Sequence, residues 1–566
     1  MQPCAAHAGP GASGTHEVLE SITLTAEERE LLETLLGAAK AAGTGTVLRC
    51  AGGWVRDKLL GKESSDIDVA LDNTMGRQFA DVVNTHLLSL GRESRHAAVI
   101  ESNPDQSKHL ETARMKVNGM WIDLVNLRSE TYAEDSRIPT VEFGTPEQDA
   151  LRRDFTINAM FYNINTGCVE DLTGRGMDDL RAGIIRTPLT PMETFLDDPL
   201  RVLRAVRFGT RFGFELEQTL VEAASSQQVC IALANKVSKE RVGTELEGMV
   251  NGPDPVGAVR LLDRLSLFTT VFALPEPQAS LLPRALVART CIACVRGAAQ
   301  LASSLGLSLD KEDNRALLLA ALLLPLRQMT VAGPKNKPMA ATTFVVRESI
   351  KWRIKDAEST LALHEAAGEM ARVAAMLTDG GGLPVAPGSV GMAGVDGEGV
   401  GGVDDGGDTV VRVALGNAIR KLKQQWRLGV VTAALLSMRA SAPLSAGDAS
   451  PSVPAHCGST SGGGGGDGDE GGAELGAAAA AAREEVAHVL LSAAAAFGLE
   501  ECWQWKPLMD GKQVMSLLGI KGGPSLGKAV QEVMDWQLSH PGGTLEQAQA
   551  HLLAVHTAAA GGAPPS

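Results

Sequence analysis

The sequence predicts an α+β protein in which an N-terminal mixed-sheet head is followed by an all-helical neck, body and tail. Three observations carry that reading. Val47 to Ala70 reads as strand, turn, helix and strand in quick succession. Between Asp66 and Ile164 short strand patterns alternate with helical ones, and from about Pro191 onward helical periodicity takes over. At 566 residues, with 44% hydrophobic and 21% charged residues, the chain is long enough for several soluble domains with a sizeable core.

Residues 1–20 are expected to be disordered. The opening M-Q-P-C-A-A-H-A-G-P has no basic region and no apolar core, which excludes a secretory signal. The first 14 residues also lack arginine, which argues against a mitochondrial or plastid transit peptide. Thr25-Ala-Glu-Glu-Arg-Glu-Leu-Leu then begins a capped helix. The run ending at Cys50 is a strand, Gly52-Gly53 the turn, and Trp54 to Leu60 a helix closed by Gly61. Backbone N–H groups of such a turn and the following helix start point at an anion, so this unit suits a phosphate, with Arg56 and Lys58 adding positive charge. Asp66-Ile67-Asp68 starts a second strand. Side chains alternate along it, so Asp66 and Asp68 share one face. Two adjacent carboxylates repel unless a divalent cation sits between them, and oxygen ligands of this kind suit Mg2+. Taken singly, an Asp-x-Asp is most often a solvated strand end and a Gly-Gly a plain turn; the combination is what carries information.

His96 to Ile100 and Thr112 to Val117 read as strands flanking a polar loop near 102–110, and Asp123 lies in a further strand, Trp121-Ile-Asp-Leu-Val. Arg152-Arg153-Asp154-Phe-Thr-Ile-Asn158-Ala by itself reads as a helix start capped by Asp154 or Thr156. Asp198-Pro-Leu-Arg201-Val-Leu-Arg204-Ala-Val-Arg207 is a helix with Pro199 in its first turn and a basic stripe that solvent alone would explain. Asp198 can accept from the exocyclic amine shared by cytosine and adenine while Arg201 donates to the neighbouring ring acceptor; neither matches uracil or guanine. One Asp and one Arg thus select C and A without a template.

Downstream, two Gly-rich stretches, 379–409 and 441–482, read as flexible insertions, the alanine tract of the second starting the next helix. Cys291-x-x-Cys294 has no second pair and an apolar helical context, so buried thiols in a reducing compartment are expected. Neither the other Cys nor the His show zinc spacing, and no uninterrupted apolar run reaches membrane-spanning length. Basic helical stretches at Arg347–Lys355 and Arg420–Arg427, the latter with Lys421 and Lys423, carry Trp352 and Trp426 and suit nucleic-acid phosphates or plain solvated faces equally. A net charge of −15 requires any RNA-binding surface to be local. Lys521-Gly522-Gly523 before a helix offers one such site.

G-G-x-x-R-D-x-x-L-G followed by D-x-D resembles the nucleotidyltransferase domain of the DNA polymerase beta superfamily. With Arg152–Ala159, Asp171–Leu180 plus Ile184–Arg186, Asp197–Arg201 and Ser238–Glu245, the chain resembles class II tRNA nucleotidyltransferases, the CCA-adding enzymes, of eukaryotic type. Leu518–Gly527 and the Trp536/His540 region resemble that family's tail. The resemblance implies metal binding by Asp66 and Asp68, with Asp123 as a third carboxylate of the wider superfamily. It also implies triphosphate contacts at Gly52, Gly53 and Arg56, and nucleotide and ribose contacts by Arg152, Arg153, Asp154 and Asn158. Arg204 and Arg207 would face the phosphates, Asp171–Arg186 would act as hinge, and Ser238–Glu245 as support through an Arg241/Glu245 pair. Two Mg2+ ions, with Mn2+ as the alternative, would serve CTP and ATP as donors and tRNA, held at its acceptor stem, 3′ end and elbow, as acceptor.

The family reading divides the chain into a head at 21–187, neck at 188–275, body at 276–378 and 410–440, and tail at 483–557, with 558–566 disordered. A monomer in cytoplasm or nucleus, with organellar isoforms, is expected. Rival readings are a poly(A) polymerase of the same superfamily, an enzyme adding only C or only A, and a non-catalytic RNA-binding protein that keeps the fold.

Overall fold

The computed structural model describes residues 16–93, 98–100, 112–131, 139–379, 405–436 and 470–560. The loop near 102–110, residues 1–15 of the predicted disordered start, most of both insertions and the last six residues lie outside the described residues. The chain forms two compact units, Met1–Phe272 and Ala273–Ser566.

The first unit opens with α1 (Ala26–Ala42), which starts where Thr25 accepts from the Glu28 N–H and Glu28 reaches back to the Thr25 N–H. Such a cap is worth about 1 kcal/mol. Strand β1 (Leu48–Ala51) leads through Gly52 into α2 (Gly53–Leu59), and β2 (Ile67–Leu71) follows. After α3 (Gly76–Ser89) come β3 (Ala98–Ile100), β4 (Thr112–Val117) and β5 (Met120–Asn126). A small ribbon, β6 (Arg128–Thr131) with β7 (Thr140–Phe143), precedes α4 (Pro146–Leu151), and β8 (Phe161–Asn163) and β9 (Cys168–Glu170) complete the set. The main sheet runs β3-β4-β5-β2-β1-β8-β9. Within it β2 and β5 are parallel and the other neighbours antiparallel, the mixed sheet that the sequence predicts. Ala51, Ala70, Ala150, Ala159 and Phe161 pack into one buried cluster. Small residues there let α4 lie close to β1 and β2.

Helices dominate after α5 (Gly176–Ala182): α6 (Pro191–Asp197), α7 (Leu200–Phe212), α8 (Gln218–Ala224), α9 (Gln227–Lys236) and α10 (Lys239–Val250). Leu200, Leu203 and Val206 of α7 are buried, whereas Arg201, Arg204 and Arg207 turn to a wetter face, the amphipathic split expected of the motif. Arg152–Ala159 departs from expectation: it is no α-helix but a single 3-10 turn, Thr156–Asn158. Asp154 spends one oxygen on the Phe155 N–H at 2.8 Å instead of capping a longer helix.

The second unit is helical, with one short hairpin (Thr330–Ala332, Pro338–Ala340). Helices begin inside both predicted insertions, at Asp405 and at Glu470, the latter because alanine is the strongest helix former. Among the described residues one helix, Arg284–Ser304, is long and apolar enough to cross a membrane by length and composition, a property the sequence reading missed. Its Val287, Cys291, Cys294 and Leu301 are buried within the unit. Cys291 and Cys294 are free thiols there, and burial pushes the Cys294 thiol up to about 12. Trp352 and Trp426 are also core residues, 8% and 1% exposed, so neither is a stacking platform.

His364 is buried, its Nε2 2.7 Å from the Ala320 carbonyl, and burial pushes its pKa down to about 4. The folded value lies below the ordinary 6.5, so between these the unfolded chain binds a proton that the native state refuses. Stability is therefore full above pH 6.5 and falls by about 3 kcal/mol as the pH drops to 4. Denaturant melts across this range are expected to show a shallower pH slope for His364→Gln.

Candidate active site

Strand alternation places Asp66, just before β2, and Asp68, within it, on one face, and register brings Asp123 of β5 beside Asp68. Asp66 is exposed and Asp68 half-buried. Burial first, then the charges of Asp66 and Asp123, push the Asp68 carboxyl up to about 6 against the pull of Arg153. Asp123 is likewise raised, by burial and by Asp66, with Arg114 opposing. Its Oδ1 is buried without a hydrogen-bond donor, and Arg114 Nε stands 3.6 Å away. Crowded carboxylates with an unsatisfied oxygen are the donor set a hard divalent cation suits. Among the described residues no three His, Cys, Asp or Glu side chains close a cage by themselves. Substrate phosphate and water oxygens would complete the coordination.

Next to this face Gly52 takes φ 69°, and a Cβ there would lie 2.7 Å from Arg153 Nη1. Glycine is required by both the conformation and the close approach. Arg56 and Lys58, however, do not serve this turn. Two residues apart on a helix they point about 200° from each other. Lys58 pairs with buried Glu28 at 2.8 Å, and the same Glu28 accepts from Trp54 Nε1 at 3.3 Å. Arg56 is 3% exposed, binds Asp57 at 2.7 Å and the Asn158 side chain, and packs over Phe208 and Phe212. In this structure both cations pair within the same unit. Asn158 is likewise committed, donating to Asp154 at 3.0 Å.

Thr145 caps α4, with Pro146 in its first turn, which places Asp149 inside and Arg152 and Arg153 just past its end. The chain's motif reading did not single out Asp149. It is 1% exposed and holds both arginines. Oδ1 accepts Arg152 Nε at 2.9 Å and Nη2 at 2.5 Å; Oδ2 accepts Arg153 Nε at 3.1 Å and Nη2 at 2.8 Å. Burial pushes its carboxyl up, but the Arg153 and Arg152 charges outweigh that and hold it below the usual range. Arg152 also reaches Glu130 at 2.8 Å, whereas Arg153 Nη1 makes only a 3.4 Å contact to the Asn158 carbonyl.

On the neck side, Arg204 donates to Asp154 at 2.7 Å and Arg207 to Glu245 at 2.6 Å. Asp154 and Glu245 face them in this structure. Arg201 Nη2 donates to the Arg152 carbonyl at 2.7 Å. Asp198 lies at the α6–α7 junction, where Arg241 Nη2 donates to its Oδ2 at 2.8 Å. The expected Arg241/Glu245 pair is therefore replaced by Arg241–Asp198 and Glu245–Arg207. An exposed i,i+4 pair is worth only about 0.3–0.5 kcal/mol, and the more shielded partners, Arg207 on α7 and Asp198 at the α6–α7 junction, are preferred to it. A cavity of about 930 Å3 in this unit, lined by Phe214, Leu216, Asp254 and Arg260 among others, shares only Ile184 with these motifs and none of the charged residues above. Chemistry, not concavity, marks the site.

In the second unit Lys521, Gly522 and Gly523 are exposed before the helix Pro524–Ser539, and Lys423 is exposed. Arg420 instead donates to the Cys502 and Trp505 carbonyls, at 2.5 and 2.9 Å, and Lys421 pairs with Glu365. In this structure Arg420 therefore holds two segments together and Lys421 is paired at the surface.

The poly A polymerase head domain family matches residues 48–186. The CCA tRNA nucleotidyltransferase, mitochondrial, of Saccharomyces cerevisiae is 32% identical over 539 residues, covering 90% of this chain and 88% of that protein. tRNA nucleotidyltransferase cca2 of Schizosaccharomyces pombe is 31% identical, covering 89% and 92%. Among solved structures, the Bacillus stearothermophilus CCA-adding enzyme in complex with CTP superposes with a TM-score of 0.55 at 17% identity, covering 95% and 99%, which shows a shared fold. By its likeness to the two fungal enzymes over nearly their whole length, the chain belongs to the CCA tRNA nucleotidyltransferase family.

Proposed function

We propose that this chain completes the 3′ end of tRNA by template-independent addition of C, C and A, using CTP and ATP and releasing pyrophosphate. The observation that carries the reading is the presence, in one compact unit, of the Asp66/Asp68 face and the Asp198/Arg201 pair. The first serves nucleotidyl transfer in general and the second distinguishes bases.

The tRNA 3′-hydroxyl attacks the α-phosphate, forming the new P–O bond as the bond to pyrophosphate breaks. Asp66 and Asp68, with Asp123 beside them, would hold Mg2+, which when bound supplies charge neutralisation for the triphosphate and activation of the hydroxyl. The diglycine turn lets the phosphates approach the backbone closely. Arg153, held across that turn, offers its Nη1 edge to an anion. Asp198 accepts from the exocyclic amine of the base and Arg201 donates to the ring nitrogen. Arg241 holds Asp198 oriented for this. Lys521, Gly522 and Gly523 serve as a phosphate contact for the tRNA body, so that tRNA affinity falls with salt. The proposal takes the working enzyme as a monomer, and the mitochondrial label of the yeast relative extends it to a mitochondrial form.

A tRNA lacking its last three nucleotides, incubated with CTP alone, tests the reading. Extension by two nucleotides supports it; failure to use CTP favours a poly(A) polymerase, the activity named by the family that matches the head.

A further inference from the structure

The motifs account for the metal and phosphate half of the site and for its base-selecting half, and the Arg204–Asp154 bond joins them, but that bond reaches neither Arg153 at the diglycine turn nor Arg201 directly. The contacts around Asp149 lead to both. From Oδ2, Asp149 grips Arg153 by Nε and Nη2, which leaves the opposite Nη1 edge beside Gly52. From Oδ1, the same carboxylate grips Arg152 by Nε and Nη2, and the Arg152 carbonyl accepts from Arg201. A third bond, from the Arg128 N–H at 3.1 Å, ties Asp149 to the start of β6. One buried carboxylate therefore stands between the diglycine turn and the base-reading arginine.

Geometry also separates the two arginines. Each guanidinium presents Nε and Nη2 to Asp149, so only the far edge is available for other work. That of Arg152 is taken by Glu130, itself shielded, at 2.8 Å. That of Arg153 makes a single long contact to a carbonyl. We propose that Asp149 is the positioning residue that couples the two halves of the site: through Arg153 it sets the approach of the nucleotide's phosphates, and through Arg152 it sets where Arg201 meets the base. Arg153 is then the arginine that touches nucleotide, and Arg152 is part of the frame.

The inference rests on the reading of the chain as a nucleotide-adding enzyme. It distinguishes itself from simple structural support, because a residue that only stabilises the fold would lower the active fraction without altering substrate preference. Asp149→Asn keeps the shape and one acceptor oxygen but removes the charge that both guanidinium groups share. Loss of charge-assisted hydrogen bonds is expected to raise KM for CTP and ATP about tenfold, with kcat falling less. Discrimination against UTP and GTP is expected to fall by a comparable factor, since the segment whose Arg152 carbonyl anchors Arg201 is held less firmly.

The experiment uses the full-length chain, with truncated tRNA and each nucleoside triphosphate in turn, on the parent, Asp149→Asn, Arg153→Lys and the double variant, with melting followed for all four. Failure of the parent to add nucleotides to tRNA overturns the function proposed above. If the parent is active, a higher KM and relaxed base preference in Asp149→Asn support the inference, as does a KM effect of the double variant no greater than that of Arg153→Lys alone. An Asp149→Asn enzyme with parental KM and preference overturns it, whatever its melting temperature. So does full additivity of the two substitutions in KM.

Discussion

Asp66→Ala and Asp68→Ala are each expected to abolish nucleotide addition while leaving the head folded. Charge neutralisation at a transferring phosphoryl group is worth several kcal/mol, so the rate should drop by about a hundredfold or more. Folding should not suffer in parallel. Asp68 is a half-buried carboxyl that burial and two like charges push up to about 6, so the native state bears a cost for keeping it ionised at neutral pH. Removing Asp68 relieves that repulsion, and removing exposed Asp66 lowers it. The expected signature is therefore lost activity with an unchanged or raised melting temperature in metal-free buffer. Activity above a few per cent of the parent in either variant contradicts the assignment. Binding of a triphosphate with Mg2+, followed by calorimetry, separates a catalytic head from one that keeps the fold without the chemistry.

The second large effect concerns choice of base. Cytosine and adenine both present an exocyclic amine next to an unprotonated ring nitrogen, whereas uracil and guanine present a carbonyl next to an N–H. Asp198 as acceptor and Arg201 as donor complement the first pattern and clash with the second. Arg241 strengthens this arrangement, since its 2.8 Å bond to Asp198 Oδ2 fixes the orientation of the carboxylate. Arg201 in turn spends one N–H on the Arg152 carbonyl and keeps the rest of its fork for the base. A hydrogen bond to a charged group contributes about 1.5–3 kcal/mol, so Asp198→Ala or Arg201→Ala should relax the preference for CTP and ATP over UTP and GTP by roughly ten- to a hundredfold. Competition assays with all four nucleotides read this directly; unchanged preference refutes the amino-acid template.

Local rules made much of the molecule legible in advance. Thr25 and Ser238 cap the helices that their spacing announces, Pro199 opens α7, and alternation puts Asp66 and Asp68 on one face. Each of these depends on residues within a few positions of one another. What sequence could not show is the choice of partner among many cations. Arg56 and Lys58 looked like phosphate ligands because they follow a diglycine, yet one helical turn sends them to different neighbours, Asn158 and Glu28. Arg204 and Arg207, which the resemblance directs toward phosphates, and Arg420 and Lys421, whose stretch suits nucleic acid or solvent equally, each have an acceptor brought near by tertiary packing that no local rule announces. Glu245 chose Arg207 over Arg241 for the same reason. Asp149 was within reach of sequence reasoning: it precedes Arg152 and Arg153 by three and four residues, the spacing at which helical side chains meet. Attention to the arginines hid the carboxylate that holds them.

The central claim is that one chain performs ordered C, C, A addition to tRNA, and its most direct test is the sequence of the product. A tRNA lacking its last three nucleotides, incubated with an equimolar mixture of all four nucleoside triphosphates and then sequenced at its 3′ end, should gain C, C and A in that order and stop. A homopolymer of A, addition of only C or only A, or incorporation of U or G at rates close to those of C and A would contradict the account.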